Sequence, residues 1–331
     1  MDTDPVRALR RIAFQLERAG APTYKVRAFR NAADVLSDLP PSQLDAHVRG
    51  GTLQDLRGIG RATATAVEQA VHGQTPSYLA ALIAEHPPIA PTTLRTRLRG
   101  DCHTHSDWSD GGSPPWEMAD AARELGHEWI ALTDHSPRLT VANGLSAERL
   151  EAQLALIERL NDDLAPFRLL TGIEVDILDD GTLDQRPDLL AQLDVVVASV
   201  HSKLRMPSDP MTARMVTAVR NPNVDVLGHC TGRLGGRRGR PESTFDAAAV
   251  FTACHENGVA VEINCRPERR DPPDPLLAMA FELGCVFAID TDAHAPGQLD
   301  WQHDGCVRAE AHAIPADRVI NTRTADAIST H

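Results

Sequence analysis

Two different hydrophobic patterns divide this chain. In the first 85 residues, apolar side chains recur every three or four positions, which is the spacing of amphipathic helices. The clearest examples are Val6, Leu9, Ile12, Phe14 and Leu16, followed by Val26, Phe29, Ala32, Val35 and Leu36. We therefore predict a small all-helical domain over residues 1–85.

Beyond about residue 98 the pattern changes to short β-branched runs separated by helical segments. These runs are Trp129–Leu132, Leu169–Val175, Val195–Val197, Val224–Leu227, Val259–Ile263 and Val286–Ile289. Repeated strand–helix units predict a parallel sheet, open or closed into a barrel. Between the two patterns, Pro87, Pro88 and Pro91 prevent a continuing helix. We predict a linker over residues 86–97 and a second domain over 98–331.

Charge is distributed unevenly along the chain. The 331 residues carry a formal net charge of -13, yet residues 1–99 hold 13 Lys+Arg and 9 Asp+Glu, so the acidic excess lies in the second domain. No run of 18 apolar residues occurs and the N-terminus lacks a signal-peptide pattern, which predicts a cytoplasmic protein without a membrane partner. The six cysteines form no CxxC pair, which excludes a zinc ribbon.

Histidines and carboxylates follow six of the predicted strands. The segments are DCHTH at 101–105 with SDG at 109–111, TDH at 133–135, GIE at 172–174, SVH at 199–201, LGH at 227–229 and TDAH at 291–294. Because the carboxyl ends of barrel strands open on one face, these side chains are expected to converge. Such ligands suit two or more divalent ions, for example Zn²⁺, Mn²⁺ or Fe²⁺, which commonly hydrolyse phosphate esters.

The same motifs resemble, in order, those of the PHP (polymerase and histidinol phosphatase) family. The resemblance implies a distorted (β/α)7 barrel that carries three divalent metal ions, with zinc, manganese and iron all possible. It implies one ion on His103, His105, Glu174 and Asp292, a second on Glu174, His201 and His229, and a third on Asp110, His135 and His294. No catalytic residue is assigned beyond a hydroxide held by the metals.

Two further segments resemble the PHP domain at the C-terminus of bacterial family X DNA polymerases: HSKL at 201–204 and HCTGRLGGRRGR at 229–240. The second segment places four arginines among three glycines, in a basic loop beside a predicted ligand. Guanidinium groups there could bind a phosphate in bidentate fashion. The predicted phosphate contacts are Lys203, Arg233, Arg237 and Arg238. A solvated surface loop is the alternative.

The helical domain supports the same affiliation. LRGIGRA at 56–62, before a helical segment, is typical of a helix-hairpin-helix, whose glycines let backbone N–H groups approach a DNA phosphate. Residues 24–33 resemble a helix of the DNA-end-binding domain of family X polymerases. The predicted DNA-binding residues are Lys25, Arg27, Arg30, Gly58, Gly60 and Arg61. A tight turn between packed helices is the alternative.

Two departures from that subgroup restrict the expected activity. The lysine with which some members form a Schiff base to an abasic sugar falls on Ala66, so lyase activity through that position is not expected. A family X polymerase also places a nucleotidyltransferase core between the two parts. Here only the proline-rich linker lies between them, so we expect no DNA synthesis.

Three functions remain. The first is a metal-dependent phosphoesterase that acts on DNA ends in repair, as a 3′–5′ exonuclease, a 3′-phosphatase or an abasic-end processing enzyme. The second is a small-molecule phosphatase of the histidinol-phosphate type, which would use the same metals but need no helix-hairpin-helix. The third is a non-catalytic DNA-binding protein, against which the complete set of candidate ligands argues.

Overall fold

The computed structural model describes residues 4–236 and 239–329. The chain divides between Ala90 and Pro91 into two compact units. That division lies inside the segment 86–97 for which the prolines predict a linker. In the described part of the chain, no helix is long and apolar enough to cross a membrane. The cytoplasmic location stays a prediction.

The N-terminal unit is built from helices, as the hydrophobic spacing predicts. They are α1 (Pro5–Arg18), α2 (Thr23–Ser37), α3 (Pro41–Gly50), α4 (Arg61–Val71) and α5 (Ser77–Glu85). Leu9 and Ile12 of α1 pack against Phe29 of α2 in one buried cluster. Because the remaining faces of these helices carry polar side chains, only one face of each is buried in this core.

The turn before α4 lies where the sequence predicts a helix-hairpin-helix. Gly58 adopts a φ of +96°, in the left-handed region that favours glycine. Gly60 then begins α4, and its backbone N–H donates to Thr63 Oγ1 over 2.9 Å. Both glycines therefore serve the local fold at the start of α4.

The second unit is a seven-stranded parallel barrel surrounded by helices. Its strands are β1 (Gly100–Thr104), β2 (Trp129–Leu132), β3 (Arg168–Asp176), β4 (Val195–Ser199), β5 (Val226–Leu227), β6 (Ala260–Asn264) and β7 (Phe287–Asp290), paired in sequence order. The helices are α6 (Pro115–Glu124), α7 (Ala147–Leu164), α8 (Pro187–Leu190), α9 (Ser208–Val219), α10 (Ala247–Asn257), α11 (Asp274–Glu282), α12 (Gln302–Ala311) and α13 (Ala325–Ile328). This is the distorted (β/α)7 architecture that the resemblance to the PHP family implies.

Side-chain alternation separates the inside of the barrel from its outer layer. On β4, Val195 and Val197 pack with residues of the other six strands, whereas Val196 and Ala198 pack with the surrounding helices. The interior cluster combines Trp129 of β2 with smaller side chains such as Ala260 of β6. Glu262 lies two residues further along β6, so the same alternation directs it inward above this cluster.

Side chains complete the seam between β1 and β7. The two strands have no continuous ladder there, only an isolated parallel bridge between Thr104 and Ala293. Asp290 Oδ1 accepts hydrogen bonds from the Cys102 backbone N–H at 2.9 Å and from Asn321 Nδ2 at 2.9 Å. Asn321 Oδ1 accepts from the Ile289 backbone N–H at 2.7 Å. These groups satisfy the strand edges that an open seam would leave unpaired.

Candidate metal centre

The nine residues predicted as metal ligands all lie at the carboxyl ends of the barrel strands or in the loops that follow. His103 and Glu174 are on β1 and β3, and the other seven follow their strands within a few residues. Three carboxylates, Glu174, Asp110 and Asp292, connect the whole set through contacts to histidine nitrogens of 2.8–3.6 Å. The structure therefore brings all nine side chains together.

We call the first part of this set the deep cluster: His103, His105, Glu174, His201 and His229. Glu174 Oε2 lies 3.4 Å from His103 Nε2 and 3.6 Å from His105 Nε2. Glu174 Oε1 lies 3.2 Å from His201 Nε2 and 2.9 Å from His229 Nε2. Each oxygen of one carboxylate thus faces a different pair of histidines, an arrangement that suits a ligand shared between two ions.

We call Asp110, His135 and His294 the rim cluster. Asp110 Oδ1 lies 3.5 Å from His135 Nε2 and 3.4 Å from His294 Nε2. The Asp110 side chain is 38 % exposed, whereas that of Glu174 is 1 % exposed. His135 also approaches the deep cluster, since its Nδ1 lies 2.8 Å from Glu174 Oε2. The rim cluster is therefore adjacent to the deep one but open to solvent.

Buried nitrogens without partners indicate that these clusters fit metal ions. Within the described residues, His103 Nε2, His105 Nε2, His201 Nε2 and Glu174 Oε2 are buried and have no hydrogen-bond partner. Leaving such atoms unsatisfied is costly unless a ligand meets them. Two ligands of one tetrahedral ion stand about 3.3–3.6 Å apart, given metal–ligand bonds of about 2.0–2.2 Å. The contacts of 3.4–3.6 Å agree with that spacing.

Carboxylates that the sequence analysis missed fix the orientation of two histidines. His103 Nδ1 lies 2.6 Å from Glu262 Oε1, and His201 Nδ1 lies 2.5 Å from Asp176 Oδ1. Because each carboxylate accepts a hydrogen bond from the Nδ1–H of a neutral ring, the Nε2 lone pair of that ring is left for a metal. A signal for Glu262 existed in the sequence, since it is a charged residue within the apolar strand of residues 259–263.

The electrostatics of the deep cluster come from burial opposed by close charges. Burial would raise the pKa of Glu174, but the charges of His201, His103 and His135 hold it well below its usual range. Burial, with the charges of His294 and His135, lowers the pKa of His105 well below its ordinary value. Glu174 is therefore ionised and His105 neutral, which are the states that ligate metals.

The loop that carries Asp110 is held by a buried carboxylate, Asp134. Its oxygens accept hydrogen bonds from the hydroxyls of Ser106 and Ser109 and from Gln153 Nε2. The loop also requires the glycine of its SDG motif, because a Cβ on Gly111 would lie 2.6 Å from the Ser106 backbone. Asp134 and this tight turn together position Asp110 at the rim.

Comparison with known families adds a finding that the geometry alone does not supply. The sequence profile of the PHP domain matches residues 101–266, about half of the chain. The chain belongs to the PHP family. A second profile, described as a helix-hairpin-helix domain, matches residues 3–75. Both resemblances stated from the motifs are confirmed at the level of the family.

Relatives of this PHP protein fall into two kinds. DNA polymerase/3′-5′ exonuclease PolX of Bacillus subtilis is 41 % identical over 228 residues, which are 69 % of this chain but 40 % of PolX. The chain thus spans less than half of that relative's length. A probable phosphatase of Thermoanaerobacter sp. (strain X514) is 29 % identical over 233 residues, or 67 % of this chain and 89 % of that protein.

One solved structure that matches is histidinol phosphate phosphatase from Lactococcus lactis, crystallised with zinc, L-histidinol and phosphate. The match covers 64 % of this chain and 93 % of the L. lactis chain. The sequence identity is 18 % and the TM-score 0.48.

The PHP family and the clustered histidines and carboxylates make this chain a metal-dependent phosphoric ester hydrolase.

Two of the residues predicted to bind phosphate contact other groups of the protein. Lys203 forms an ion pair with Asp179 and is 63 % exposed. Arg233 donates from Nε to the Arg269 carbonyl at 3.0 Å and from Nη1 to Glu242 at 3.2 Å. Arg237 and Arg238 lie outside the described residues. Lys203 and Arg233 thus already have partners of their own.

Two arginines that the sequence analysis did not single out lie against the centre. Arg269 Nε is 3.0 Å from Asp292 Oδ2, and Arg266 Nη1 is 3.6 Å from Asp292 Oδ1. Burial would raise the pKa of Asp292, but the Arg266 charge, the His105 hydrogen bond and the Arg269 charge lower it well below its usual range. Among the described residues, Arg269 Nε and Nη1 have no hydrogen-bond partner although both are buried.

In the N-terminal unit, one of the predicted DNA contacts needs correction. Lys25, Arg27 and Arg61 are exposed, as a phosphate contact requires. Arg30 is instead buried and makes two hydrogen bonds to Glu17, from Nε at 3.0 Å and from Nη2 at 2.9 Å. Its guanidinium is turned into the helical core, so the prediction that it binds DNA is wrong.

Proposed function

We propose that this protein hydrolyses phosphate esters at DNA ends during repair, as a 3′–5′ exonuclease, a 3′-phosphatase or an abasic-end processing enzyme, and does not synthesise DNA. One observation carries the proposal: a helix-hairpin-helix domain and a PHP domain occur in the same chain. A phosphatase for a small metabolite needs only the second. The name of the B. subtilis relative, a polymerase with 3′-5′ exonuclease activity, supports this substrate class.

The metal ligands belong to the proposal with the partition that the family resemblance implies. His103, His105, Glu174 and Asp292 would hold one ion, Glu174, His201 and His229 a second, and Asp110, His135 and His294 a third. When bound, the ions would activate the attacking water and neutralise charge on the phosphate in the transition state. The opposed contacts of the two Glu174 oxygens support its role as the shared ligand.

The chain's own residues would orient the phosphate. Arg269 Nη1 is buried without a hydrogen-bond partner among the described residues, Arg269 Nε lies 3.0 Å from Asp292 Oδ2, and Arg266 lies on the other oxygen of that carboxylate. Guanidinium groups in such a position bind phosphate oxygens with charge-assisted hydrogen bonds. We assign this role to Arg266 and Arg269 because both contact the predicted ligand Asp292. We treat Lys203 and Arg233 as secondary contacts because their acidic partners, Asp179 and Glu242, are not among the nine predicted ligands.

The N-terminal unit would supply affinity for the DNA backbone. Lys25, Arg27 and Arg61 present exposed charges, and the glycine turn at Gly58 and Gly60 exposes the start of α4 to a phosphate. Contacts of this kind carry no sequence information. The proposal therefore predicts binding that depends on DNA ends and salt, not on base sequence.

A direct test is to assay the metal-loaded full chain on DNA with labelled 3′ ends and on histidinol phosphate in parallel. The DNA panel contains a 3′-hydroxyl, a 3′-phosphate and a 3′ abasic remnant. We expect turnover of at least one DNA substrate with histidinol phosphate a poor substrate. Efficient turnover of histidinol phosphate with no DNA product would refute the proposal.

The binding half of the proposal is tested by removing the three exposed charges together, in Lys25→Ala/Arg27→Ala/Arg61→Ala. Each lost phosphate contact should lower the slope of log affinity against log salt by about 0.7–0.9. The matched control removes three exposed arginines of the barrel unit, in Arg159→Ala/Arg220→Ala/Arg323→Ala. Equal loss of DNA affinity in both triple variants would contradict a binding role for the N-terminal unit.

A small-molecule phosphatase is the second candidate, and one observation favours it. The alignment to the Thermoanaerobacter protein covers 89 % of a chain named as a probable phosphatase. The two candidates share the metal centre and differ in what the N-terminal unit contributes. The triple substitution in that unit should leave turnover unchanged if the substrate is a small phosphate ester.

A further inference from the structure

Glu262 is a carboxylate at which two separate parts of the deep cluster meet. It is fully buried on β6. Its Oε1 lies 2.6 Å from His103 Nδ1, and its Oε2 accepts a hydrogen bond from the backbone N–H of His229. Asn264 Nδ2 donates to the same Oε2 at 3.1 Å. All three partners are therefore donors, and both oxygens of Glu262 act as acceptors.

The contact to His103 decides which nitrogen of that ring is available to a metal. A neutral imidazole carries one proton, so a proton on Nδ1 leaves Nε2 with a free lone pair. His103 Nε2 is buried, lacks a partner among the described residues and lies 3.4 Å from Glu174 Oε2. With the proton on Nε2 instead, this nitrogen could not ligate a metal.

The contact between Glu262 and His229 involves the His229 backbone N–H and not its imidazole ring. His229 follows β5, which has only two residues in the ladder, Val226 and Leu227. The Glu262 carboxylate thus provides a fixed point for the chain immediately after a very short strand. His229 Nε2 in turn lies 2.9 Å from the second oxygen of Glu174.

We propose that Glu262 is a positioning residue that couples the two halves of the deep cluster, with one oxygen setting the tautomer of His103 and the other the backbone of His229. The inference rests on the ligand assignment in the proposed function. In that assignment, His103 and His229 serve different ions, so a change at Glu262 should weaken both. Asp176, by contrast, meets the ring of one ligand, His201.

Glu262→Gln is the informative variant because it keeps the shape and changes one acceptor into a donor. If the amide NH₂ faces His103, the ring must accept on Nδ1 and carry its proton on Nε2, towards Glu174. If the amide NH₂ faces the His229 N–H instead, two buried donors oppose each other. Both orientations should weaken metal binding by the deep cluster, one through the ring of His103 and the other through the backbone of His229.

The experiment measures zinc bound at equilibrium to the full-length protein over a range of buffered free zinc concentrations. We expect Glu262→Gln to lower the affinity of two ions, by about 10- to 100-fold, the usual effect of losing a partner that orients a ligand. Asp176→Asn should lower the affinity of one ion. Asp194→Asn is the matched control, since Asp194 accepts two hydrogen bonds from Thr171 and contacts none of the nine ligands in the described structure.

The second measurement, which also works if Glu262→Gln does not fold, is nitrogen NMR of histidine-labelled, zinc-loaded wild type. His103, assigned by its loss in His103→Gln, should carry its proton on Nδ1. A proton on Nε2 would overturn the inference, as would zinc affinities in Glu262→Gln equal to those of wild type. If the wild type itself binds no zinc, manganese or iron, the ligand assignment fails and the proposed function with it.

Discussion

The deep and rim clusters use similar side chains in different surroundings. Deep histidines are buried, and Glu262 and Asp176 orient His103 and His201 through carboxylate contacts. In the rim, His294 Nδ1 lies 2.8 Å from the Asp292 backbone carbonyl, 3.4 Å from an arginine nitrogen and 3.5 Å from Oδ1 of Asp292, itself a predicted ligand, and Asp110 remains open to solvent. Because oriented, desolvated ligands bind metals more tightly, we expect the deep ions to be retained and the rim ion to exchange.

This difference assigns separate tasks to the clusters. Tightly held ions can serve as a permanent part of the active centre. An exchangeable ion makes activity depend on the concentration of free metal in the surrounding solution. His135 connects the two, with one nitrogen near Glu174 and the other near Asp110. The expected effects of substitution therefore decrease from the deep cluster outward.

Glu174→Gln should have the largest effect. The change removes the charge and one ligating oxygen of a carboxylate that contacts five histidines, so turnover should fall by at least about a hundredfold to a thousandfold. Elemental analysis should also show at least one ion fewer per chain. Full activity with unchanged metal content would refute the assignment of the deep cluster.

Arg269→Ala should come next, because Arg269 lies beside Asp292 at the junction of the two clusters. Loss of one charge-assisted contact, worth about 1.5–3 kcal/mol, should slow turnover roughly tenfold to a hundredfold while metal content stays the same. Arg233→Ala is the comparison, since Glu242 already holds that side chain. If Arg233→Ala is the slower enzyme, the arginine loop and not Arg269 orients the phosphate.

Asp110→Asn tests the rim directly. We expect the metal concentration for half-maximal activity to rise by at least about tenfold, with activity restored by excess metal because the deep ions stay in place. Measurement of rate against free metal separates this outcome from that of Glu174→Gln. A loss that excess metal does not restore would mean that the two clusters are equally essential.

Ser109→Ala should have the smallest effect. Its hydroxyl donates to Asp134 and thereby holds the loop that presents Asp110. Asp134 keeps its donors Ser106 and Gln153, and a typical hydrogen bond contributes about 0.5–1.5 kcal/mol. Rim-ion affinity should therefore fall only a few-fold, with no change in the deep ions by the same metal titration. An effect on the deep ions would show that the Ser106–Asp134 network supports both clusters.

Most of the strand positions could be predicted from hydrophobic runs, with instructive exceptions. The run Val224–Leu227 shortens to Val226–Leu227 as a strand, because Val224 N donates to Asn221 O in a turn and the Asp225 side chain accepts from Val196 N. β1 contains no apolar run at all. Its polar residues are satisfied by distant partners such as Thr291, which no local pattern reveals.

The residues that the sequence analysis missed share one property. Glu262, Asp176 and Arg269 act on ligands rather than matching a ligand motif, and Glu262 lies 159 positions from its partner His103. Arg30 was misassigned for the opposite reason, since its place in a basic helix says nothing about Glu17 across the core. Pairing between distant positions is invisible to spacing along the chain.

What the sequence by itself determined is the kind of protein: two domains, a parallel barrel, candidate metal ligands at the strand ends and a helix-hairpin-helix. These follow from local periodicity and from the order of motifs, both of which short stretches of chain encode. Only the tertiary structure decided which ligands are buried, which ring nitrogens face a carboxylate and which arginines reach the centre. The physical reason is that burial and hydrogen-bond partners are set where distant strands meet in the closed barrel.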